Sequence, residues 1–252
     1  MKNLIYRNGS AAGQAHLRKR KNNQDAFAIG ETIVNEKEYL FGVVSDGCTG
    51  RAGSRTEVGS ILVTRFIRSE IPLILAAGIS IEELPAALFP RCIGFFRSIA
   101  GTTVIGNPEI IWDFISKHLL CTIIGFVMND EKLLIFTAGD GTFIVNREIT
   151  VIDQNNTPYY PAYHLVDRKI LGSTAQLLPQ SFEICTFPAE TVKKLAICTD
   201  GINDELENDG LIEGIWCYEP EAKGGLQWWL NIQSGEGRFR DDCTIVAVKR
   251  IG

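Results

Sequence analysis

Residues 121–145 read CTIIGFVMNDEKLLIFTAGDGTFIV and contain three short apolar runs, rich in β-branched residues, at 121–128, 132–138 and 142–145. The runs are separated by Asn129-Asp130 and Asp140-Gly141, which are typical turn dipeptides. The segment therefore predicts three consecutive antiparallel strands, a β-meander.

Helical and extended patterns flank this meander on both sides. A strand is predicted at 38–44 and an amphipathic helix at 54–71, where apolar residues recur at helical spacing. Ser80, with Glu83 three residues later, matches the start of another helix. A further helix is predicted at 109–119, and further strands at 181–186, 194–198 and 244–249.

The order of these elements indicates the fold class. Strands and long helices occur without a regular βαβ alternation, which favours an α+β fold with antiparallel sheets and helices outside over a doubly wound parallel sheet. No repeat, low-complexity segment or linker divides the chain, so 1–252 is expected to form a single domain. Residues 155–180 predict a long irregular segment, where substrate selection is expected to reside.

Composition narrows the class of partner. The 252-residue chain has a net charge of −5, which argues against nucleic-acid binding, although 16–21 forms a basic run that fits either a phosphate-attracting edge or a solvated loop. Its seven cysteines are scattered and odd in number, as expected of a reduced cytoplasmic protein. Without a signal-peptide start or a membrane-length apolar run, we expect a soluble protein with no membrane partner.

Three apolar runs end in Asp-Gly, at Asp46, Asp140 and Asp200. Any one of these pairs alone is compatible with an ordinary turn, and Asp209-Gly210 is interpreted in that way. Asp25 is different because it precedes an apolar run.

Asp241 also precedes an apolar run. In an antiparallel sheet the end of one strand lies beside the start of its neighbour, so these acidic positions can converge on one edge. Clustered carboxylates repel each other unless cations neutralise them, and oxygen-only ligands suit Mg²⁺ or Mn²⁺ better than zinc. The sequence therefore predicts a divalent-metal site that includes Asp46, Asp200 and Asp241.

Five acidic motifs occur in a fixed order along nearly the whole chain. They are Arg20-x-x-Asn23-Gln24-Asp25, Val44-Ser45-Asp46-Gly47, Gly139-Asp140-Gly141-Thr142, Thr199-Asp200-Gly201-Ile202-Asn203-Asp204 and Asp241-Asp242-Cys243-Thr244-Ile245-Val246. In this order they resemble the motifs of the type 2C metal-dependent protein serine/threonine phosphatases, especially compact bacterial members.

The resemblance implies a fold and a pair of metal ions. The fold would be a central β-sandwich of two antiparallel sheets flanked by helices, in α-β-β-α layers, with a metal cleft at one end. Asp46 would bridge two Mn²⁺ or Mg²⁺ ions and the Gly47 carbonyl would bind one of them. Asp200 and Asp241 would bind the other.

The resemblance also implies roles around these ions. Asp25 would hold a metal-bound water, while Asp140 and Asp204 would help to bind a third, weaker ion. A helical turn after Asp200 would present Asp204 on the same side. Arg20 would bind two phosphate oxygens with its guanidinium group. The alternative interpretation is that Arg20 is one more solvated cation.

The implied activity is hydrolysis of phosphoserine and phosphothreonine in proteins by metal-activated water, opposing a serine/threonine kinase. Two alternatives stay open: hydrolysis of a small phosphorylated metabolite, and a pseudophosphatase that acts as a regulatory binding module.

Two departures from the family pattern motivate the second alternative. Gln24 stands where many members have glutamate, which predicts weaker binding of one metal, and 48–50 read Cys-Thr-Gly where small, Gly-rich residues are commoner. No histidine follows Gly47, so the leaving-group acid is left open, with metal-bound water preferred to Cys48. His16, His118 and His164 are predicted to be structural or exposed.

Overall fold

The computed structural model describes residues 3–48, 53–103, 107–154, 158–176, 178–217 and 225–251. Within these ranges the chain forms two five-stranded sheets whose paired strands are all antiparallel. In spatial order, the first sheet contains β1 (Leu4–Ala11), β10 (Cys243–Arg250), β9 (Lys194–Cys198), β6 (Gly141–Val145) and β7 (Glu148–Ile152). The second contains β2 (Ala26–Val34), β3 (Lys37–Ser45), β4 (Ile123–Met128), β5 (Lys132–Ala138) and β8 (Glu183–Pro188).

Helices connect and cover these sheets. They are α1 (Gln14–Lys19), α2 (Glu57–Ala76), α3 (Leu84–Thr103), α4 (Pro108–His118), α5 (Arg168–Leu171), α6 (Asp209–Gly214) and α7 (Gly225–Gly235). Short 3-10 helices occupy Pro161–Leu165, Gly172–Gln176, Ala189–Thr191 and Asp200–Glu205.

The hydrophobic core has three layers because both faces of the central strands are buried. Val44 and Phe126 of one sheet pack with Val246 of the other in the layer between the sheets. The alternate residues of these strands point outward, where Val43 packs with α2, α3 and α4, and Ala247 packs with α6 and α7. The predicted α-β-β-α sandwich is therefore confirmed.

The predicted meander is only half right. β4 and β5 form the expected hairpin, closed by Asn129, whose side chain accepts hydrogen bonds from the backbone N–H groups of Glu131 and Lys132. β6, however, pairs with β9 and β7 in the other sheet. Gly139 and Gly141 have φ values of 99° and 141°, a conformation that favours glycine, and they carry the chain from one sheet to the other through Asp140.

Most other predicted elements are confirmed, including the Ser80–Glu83 cap, in which each residue hydrogen-bonds the other's backbone N–H. The interpretation of Asp209-Gly210 as a plain turn was wrong, because these residues begin α6 behind the cap residue Asn208. Strands β1 and β7 were not predicted. The irregular segment from 155 to 180 contains short helices in its described part, 158–176 and 178–180.

Candidate active site

Strand register brings the acidic positions to one end of the sandwich. Ala26, at the start of β2, pairs with Ser45, at the end of β3. Asp25, just before β2, and Asp46, just after β3, therefore lie at the same end of that hairpin. In the other sheet, Thr199 beyond the end of β9 donates its backbone N–H to the carbonyl of Thr244, which lies close to Asp241 in sequence. The two sheet ends face each other across the cluster.

Asp25 and Asp46 form the deep half of the cluster. Asp25 is 6 % exposed, and its Oδ2 accepts a 2.6 Å hydrogen bond from the hydroxyl of Thr199. Beyond desolvation, the charge of Asp25 contributes to raising the pKa of Asp46. Desolvation, followed by the charge of Asp242, raises the pKa of Asp25 to about 8.

Asp46 joins this deep half to the rest of the cluster. Its backbone N–H donates to the Thr122 hydroxyl at 3.1 Å, and its carbonyl accepts from the Thr122 backbone N–H at 2.8 Å. Desolvation raises the pKa of Asp46 well above its usual range, and the charges of Asp25, Asp200 and Asp241 raise it further. The charges of these carboxylates therefore act on one another within the cluster.

Asp200, Asp140 and Asp204 form the open half. Asp200 begins the 3-10 helix and lines a cavity of about 530 Å³ together with Asp140 and Asp153. Desolvation raises the pKa of Asp200 to about 7, with further contributions from the charges of Asp140, Asp241 and Asp204. The pKa of Asp140 is also raised by desolvation.

The turn after Asp200 differs from the expected α-helical one. A 3-10 helix has three residues per turn, so Asn203 rather than Asp204 lies above Asp200 and joins it in the cavity wall. The Asn203 side-chain oxygen accepts a 2.6 Å hydrogen bond from the Thr142 hydroxyl. Asp204 is exposed, yet its charge still acts on Asp200.

Gly47 is buried beside Asp46 and forms a bridge with Cys121. A side chain could not replace its hydrogen, because a Cβ there would lie 2.8 Å from the Gln24 carbonyl oxygen and from the Thr56 hydroxyl. The backbone at Gly47 is thus held against the segment that carries Asp25.

Arg20 ends α1 in the left-handed conformation, with φ of 54°, and its side chain is exposed. Among the described residues, its guanidinium makes no hydrogen bond or ion pair with the aspartates. The neighbouring basic residues Arg18 and Lys19 are exposed as well.

The donor set fits a divalent metal. Asp25 Oδ1 and Asp140 Oδ1 are buried and have no hydrogen-bond partner among the described residues. Buried carboxylate oxygens are costly without a partner. Desolvation, followed by the charges of neighbouring aspartates, raises the pKa values of Asp46 and Asp200, and a bound cation would offset both effects. Carboxylate oxygens are the ligands that Mg²⁺ and Mn²⁺ prefer.

Sequence reasoning missed a buried ion pair next to the cluster. His16 and Asp242 are each 2 % exposed, and His16 Nδ1 lies 2.6 Å from Asp242 Oδ2. The hydrogen bond to Asp242 raises the pKa of His16 against the effect of burial. A lone histidine gave no motif, and its partner lies 226 residues away in sequence.

Cys48 lies at the edge of the site. Its carbonyl accepts hydrogen bonds from the hydroxyls of Ser54 and Thr56, and the buried Tyr160 lies beside its thiol. The other two residues of the unusual Cys-Thr-Gly sequence, Thr49 and Gly50, lie outside the described residues.

Comparison with known proteins identifies the class. A family model described as Protein phosphatase 2C matches residues 12–217. No curated protein sequence matches the chain significantly.

Solved structures share the fold over nearly the whole chain. A bacterial serine phosphatase has a TM-score of 0.63 and 18% identity, over 99% of this chain and 98% of that one. The serine/threonine phosphatase Stp1 from Staphylococcus aureus has a TM-score of 0.61 and 17% identity, over 99% and 96%. The catalytic domain of the serine/threonine phosphatase PstP, in complex with two manganese ions, has a TM-score of 0.62 and 18% identity, over 99% of both chains.

The fold is that of a metal-dependent protein phosphatase. The chain belongs to the protein phosphatase 2C family, and its activity is metal-dependent dephosphorylation of serine and threonine in proteins. No helix in the described part of the chain has the length and apolar content needed to cross a membrane.

Proposed function

We propose that residues 1–252 form one catalytic domain whose acidic cluster holds the metal ions. Asp46 would bridge two Mn²⁺ or Mg²⁺ ions, one of which the Gly47 carbonyl would also bind. Asp200 and Asp241 would bind the other. The observation that supports this arrangement is geometric: the pairing of Ala26 with Ser45 and the hydrogen bond from the Thr199 hydroxyl to Asp25 bring the acidic ends of both sheets together, and Asp25 Oδ1 has no partner among the described residues.

The remaining aspartates take supporting roles in this proposal. Asp25 would orient a metal-bound water, since the Thr199 hydroxyl fixes its Oδ2 and leaves Oδ1 without a partner among the described residues. Asp140 and Asp204, in the open half, would help to hold a third, weaker ion. When bound, the ions supply a water of lowered pKa for attack on phosphorus and positive charge for the phosphoryl oxygens.

Arg20 would receive the phosphate. Its guanidinium is exposed at the end of α1 and makes no ion pair with the described aspartates. A guanidinium donates two parallel hydrogen bonds to two phosphate oxygens, which both binds and orients the group.

The substrate in this proposal is a phosphorylated protein that a serine/threonine kinase modifies in the cytoplasm. Buried thiols such as Cys92, Cys121 and Cys198 remain unpaired, as is typical of a reducing compartment.

The test is a hydrolysis assay titrated with Mn²⁺ and repeated with a chelator. We expect the wild type to hydrolyse a phosphothreonine peptide only with metal. Asp46→Asn should lose activity on the order of 10³-fold, because a bridging ligand supports several kcal/mol of charge stabilisation.

Three results would change the proposal. Undiminished turnover by Asp46→Asn would contradict the assigned metal site. Faster hydrolysis of small phosphorylated metabolites than of phosphopeptides would replace the substrate class, while tight metal binding by the wild type without turnover on either substrate would favour the regulatory module.

A further inference from the structure

Asp242 is a buried carboxylate whose two oxygens are both occupied by hydrogen bonds. Oδ1 accepts from the backbone N–H of Gly13 at 2.8 Å. Oδ2 accepts from the backbone N–H of Gln24 at 2.7 Å and faces His16 Nδ1 at 2.6 Å. Because a carboxylate only accepts, the proton in the last contact lies on His16.

These bonds connect two segments of the active site that are far apart in sequence. Gly13, His16 and Gln24 all belong to the segment that leads through α1 to Asp25. Asp242 belongs to the turn before β10, directly after Asp241. One side chain thus ties the segment carrying Asp25 to the turn carrying Asp241.

The orientation of Asp241 depends on the same turn. The backbone N–H of Asp242 donates to Asp241 Oδ1 at 2.8 Å. The turn is closely packed, since a Cβ at Gly13 would lie 2.1 Å from the Asp241 carbonyl carbon and one at Gly201 would lie 2.0 Å from the Asp242 carbonyl oxygen. A shift of Asp242 would therefore move the Asp241 carboxylate with it.

His16, Asp241 and Asp242 each place one potential ligand atom within 4.8 Å of the others. Both Asp242 oxygens and His16 Nδ1 are already engaged, whereas Asp241 is exposed and only its Oδ1 accepts a bond, from the Asp242 backbone N–H. Of the three groups, the Asp241 carboxylate is therefore the one that would face a metal.

We propose that the buried His16–Asp242 pair is a positioning pair, which holds Asp241 and the segment before Asp25 in the arrangement that binds divalent metal. This inference rests on the proposed role of Asp241 as a metal ligand. His16 and Asp242 themselves contact neither metal nor substrate in this account. Groups that orient metal ligands in this way commonly determine affinity as strongly as some ligands do.

The experiment measures Mn²⁺ binding to the chelator-stripped full chain by calorimetry, so its readout does not depend on turnover. His16→Ala and Asp242→Asn should each weaken Mn²⁺ binding about tenfold or more. The double variant should bind no more weakly than the worse single variant, since both changes break one unit. His164→Ala, which removes a half-buried histidine bonded to the Pro179 carbonyl, is the matched control and should bind as the wild type does.

Two conservative variants test position rather than bulk. Asparagine places an N–H donor near the site of Nδ1, whereas glutamine places one near that of Nε2, so His16→Asn should retain more Mn²⁺ affinity than His16→Gln. A purely structural role would lower the melting temperature of all His16 variants and leave the Mn²⁺ affinity of the folded protein unchanged. That result would overturn the proposal.

Asp241→Asn distinguishes a failure of the proposed metal site from a failure of the positioning role of His16 and Asp242. Wild-type Mn²⁺ affinity in Asp241→Asn would overturn the proposed metal site itself. Loss of affinity in Asp241→Asn, with wild-type affinity in His16→Ala and Asp242→Asn, would overturn only the positioning role.

Discussion

The deep and open halves of the acidic cluster carry the same side chain in different surroundings. Asp25, in the deep half, is buried and fixed by the Thr199 hydroxyl. Asp204, in the open half, is exposed, and Asp200 lines a cavity. Desolvation raises the pKa of Asp25 to about 8 and that of Asp200 to about 7.

The contrast shows how a protein prepares a site for divalent ions. A fixed, desolvated carboxylate binds a cation strongly because the metal-free state is unfavourable, whereas an exposed one loses less when the ion leaves. We therefore expect the deep half to control stability and turnover, and the exposed Asp204 of the open half to adjust the affinity for an additional ion.

The largest expected effect is on stability without metal. Between pH 4 and about 8, Asp25 keeps its proton only in the folded chain, so the folded state binds more protons than the unfolded state. The free energy of unfolding should therefore fall as pH rises through this range, by up to about 1.4 kcal/mol per pH unit for each such group. Denaturant unfolding in chelator, at a series of pH values from 5 to 8, measures this fall in the free energy of unfolding.

Saturating Mn²⁺ should reverse this loss at pH 8, by about 2.7 kcal/mol at a hundred times the dissociation constant. Asp25→Asn, which removes a titrating group, should flatten the pH dependence in chelator. A free energy of unfolding that rises from pH 5 to pH 8 without metal would contradict the expectation that the buried carboxylates of the deep half destabilise the metal-free protein when they ionise.

The next effect is on turnover. Asp25→Asn should lower kcat on the order of 10²-fold, the size of a lost contribution to proton transfer or water orientation. Asp204→Asn should cost less than about tenfold and should be offset by additional Mn²⁺, since weaker coordination is overcome by mass action. Steady-state assays at several Mn²⁺ concentrations compare the two variants. Equal losses of activity in Asp25→Asn and Asp204→Asn, neither of them restored by additional Mn²⁺, would show that the deep and open halves do not differ in function.

A smaller effect distinguishes two buried threonines. Thr199→Val leaves both Asp25 Oδ2 and the Thr244 backbone N–H without their partner, and should cost about 2–3 kcal/mol of unfolding free energy. Thr142→Val affects only the half-buried Asn203 oxygen and should cost about 1 kcal/mol. Urea unfolding of both variants, at one pH in chelator, measures the difference in unfolding free energy. Equal losses in Thr199→Val and Thr142→Val would argue that the buried hydrogen bonds of the deep half contribute no more to stability than those of the open half.

The sequence predicts the sandwich well because local patterns encode its strands, and the same patterns lead to the expectation of an acidic cluster. Apolar runs that end in Asp-Gly mark both strand ends and carboxylates, so the convergence of Asp46 and Asp200 follows from antiparallel pairing. The order of the motifs then predicts the family and the α-β-β-α layers. The family match confirms the first and the structure confirms the second.

The rest depends on contacts that no local pattern contains. β1 escapes prediction because its sequence LIYRNGSA places Arg7 and Asn8 directly before a glycine, and it is a strand only through its pairing with β10. β6 changes sheets because of the backbone conformations of Gly139 and Gly141. His16 and Asp242 meet only after the two sheets have packed.

The most direct measurement is anomalous diffraction from crystals of the chain soaked in Mn²⁺ at a pH near 8. The account predicts manganese peaks between the carboxylates of Asp46, Asp200 and Asp241. A refined structure with these three side chains in place and no manganese among them, at a concentration that supports turnover in solution, would contradict it.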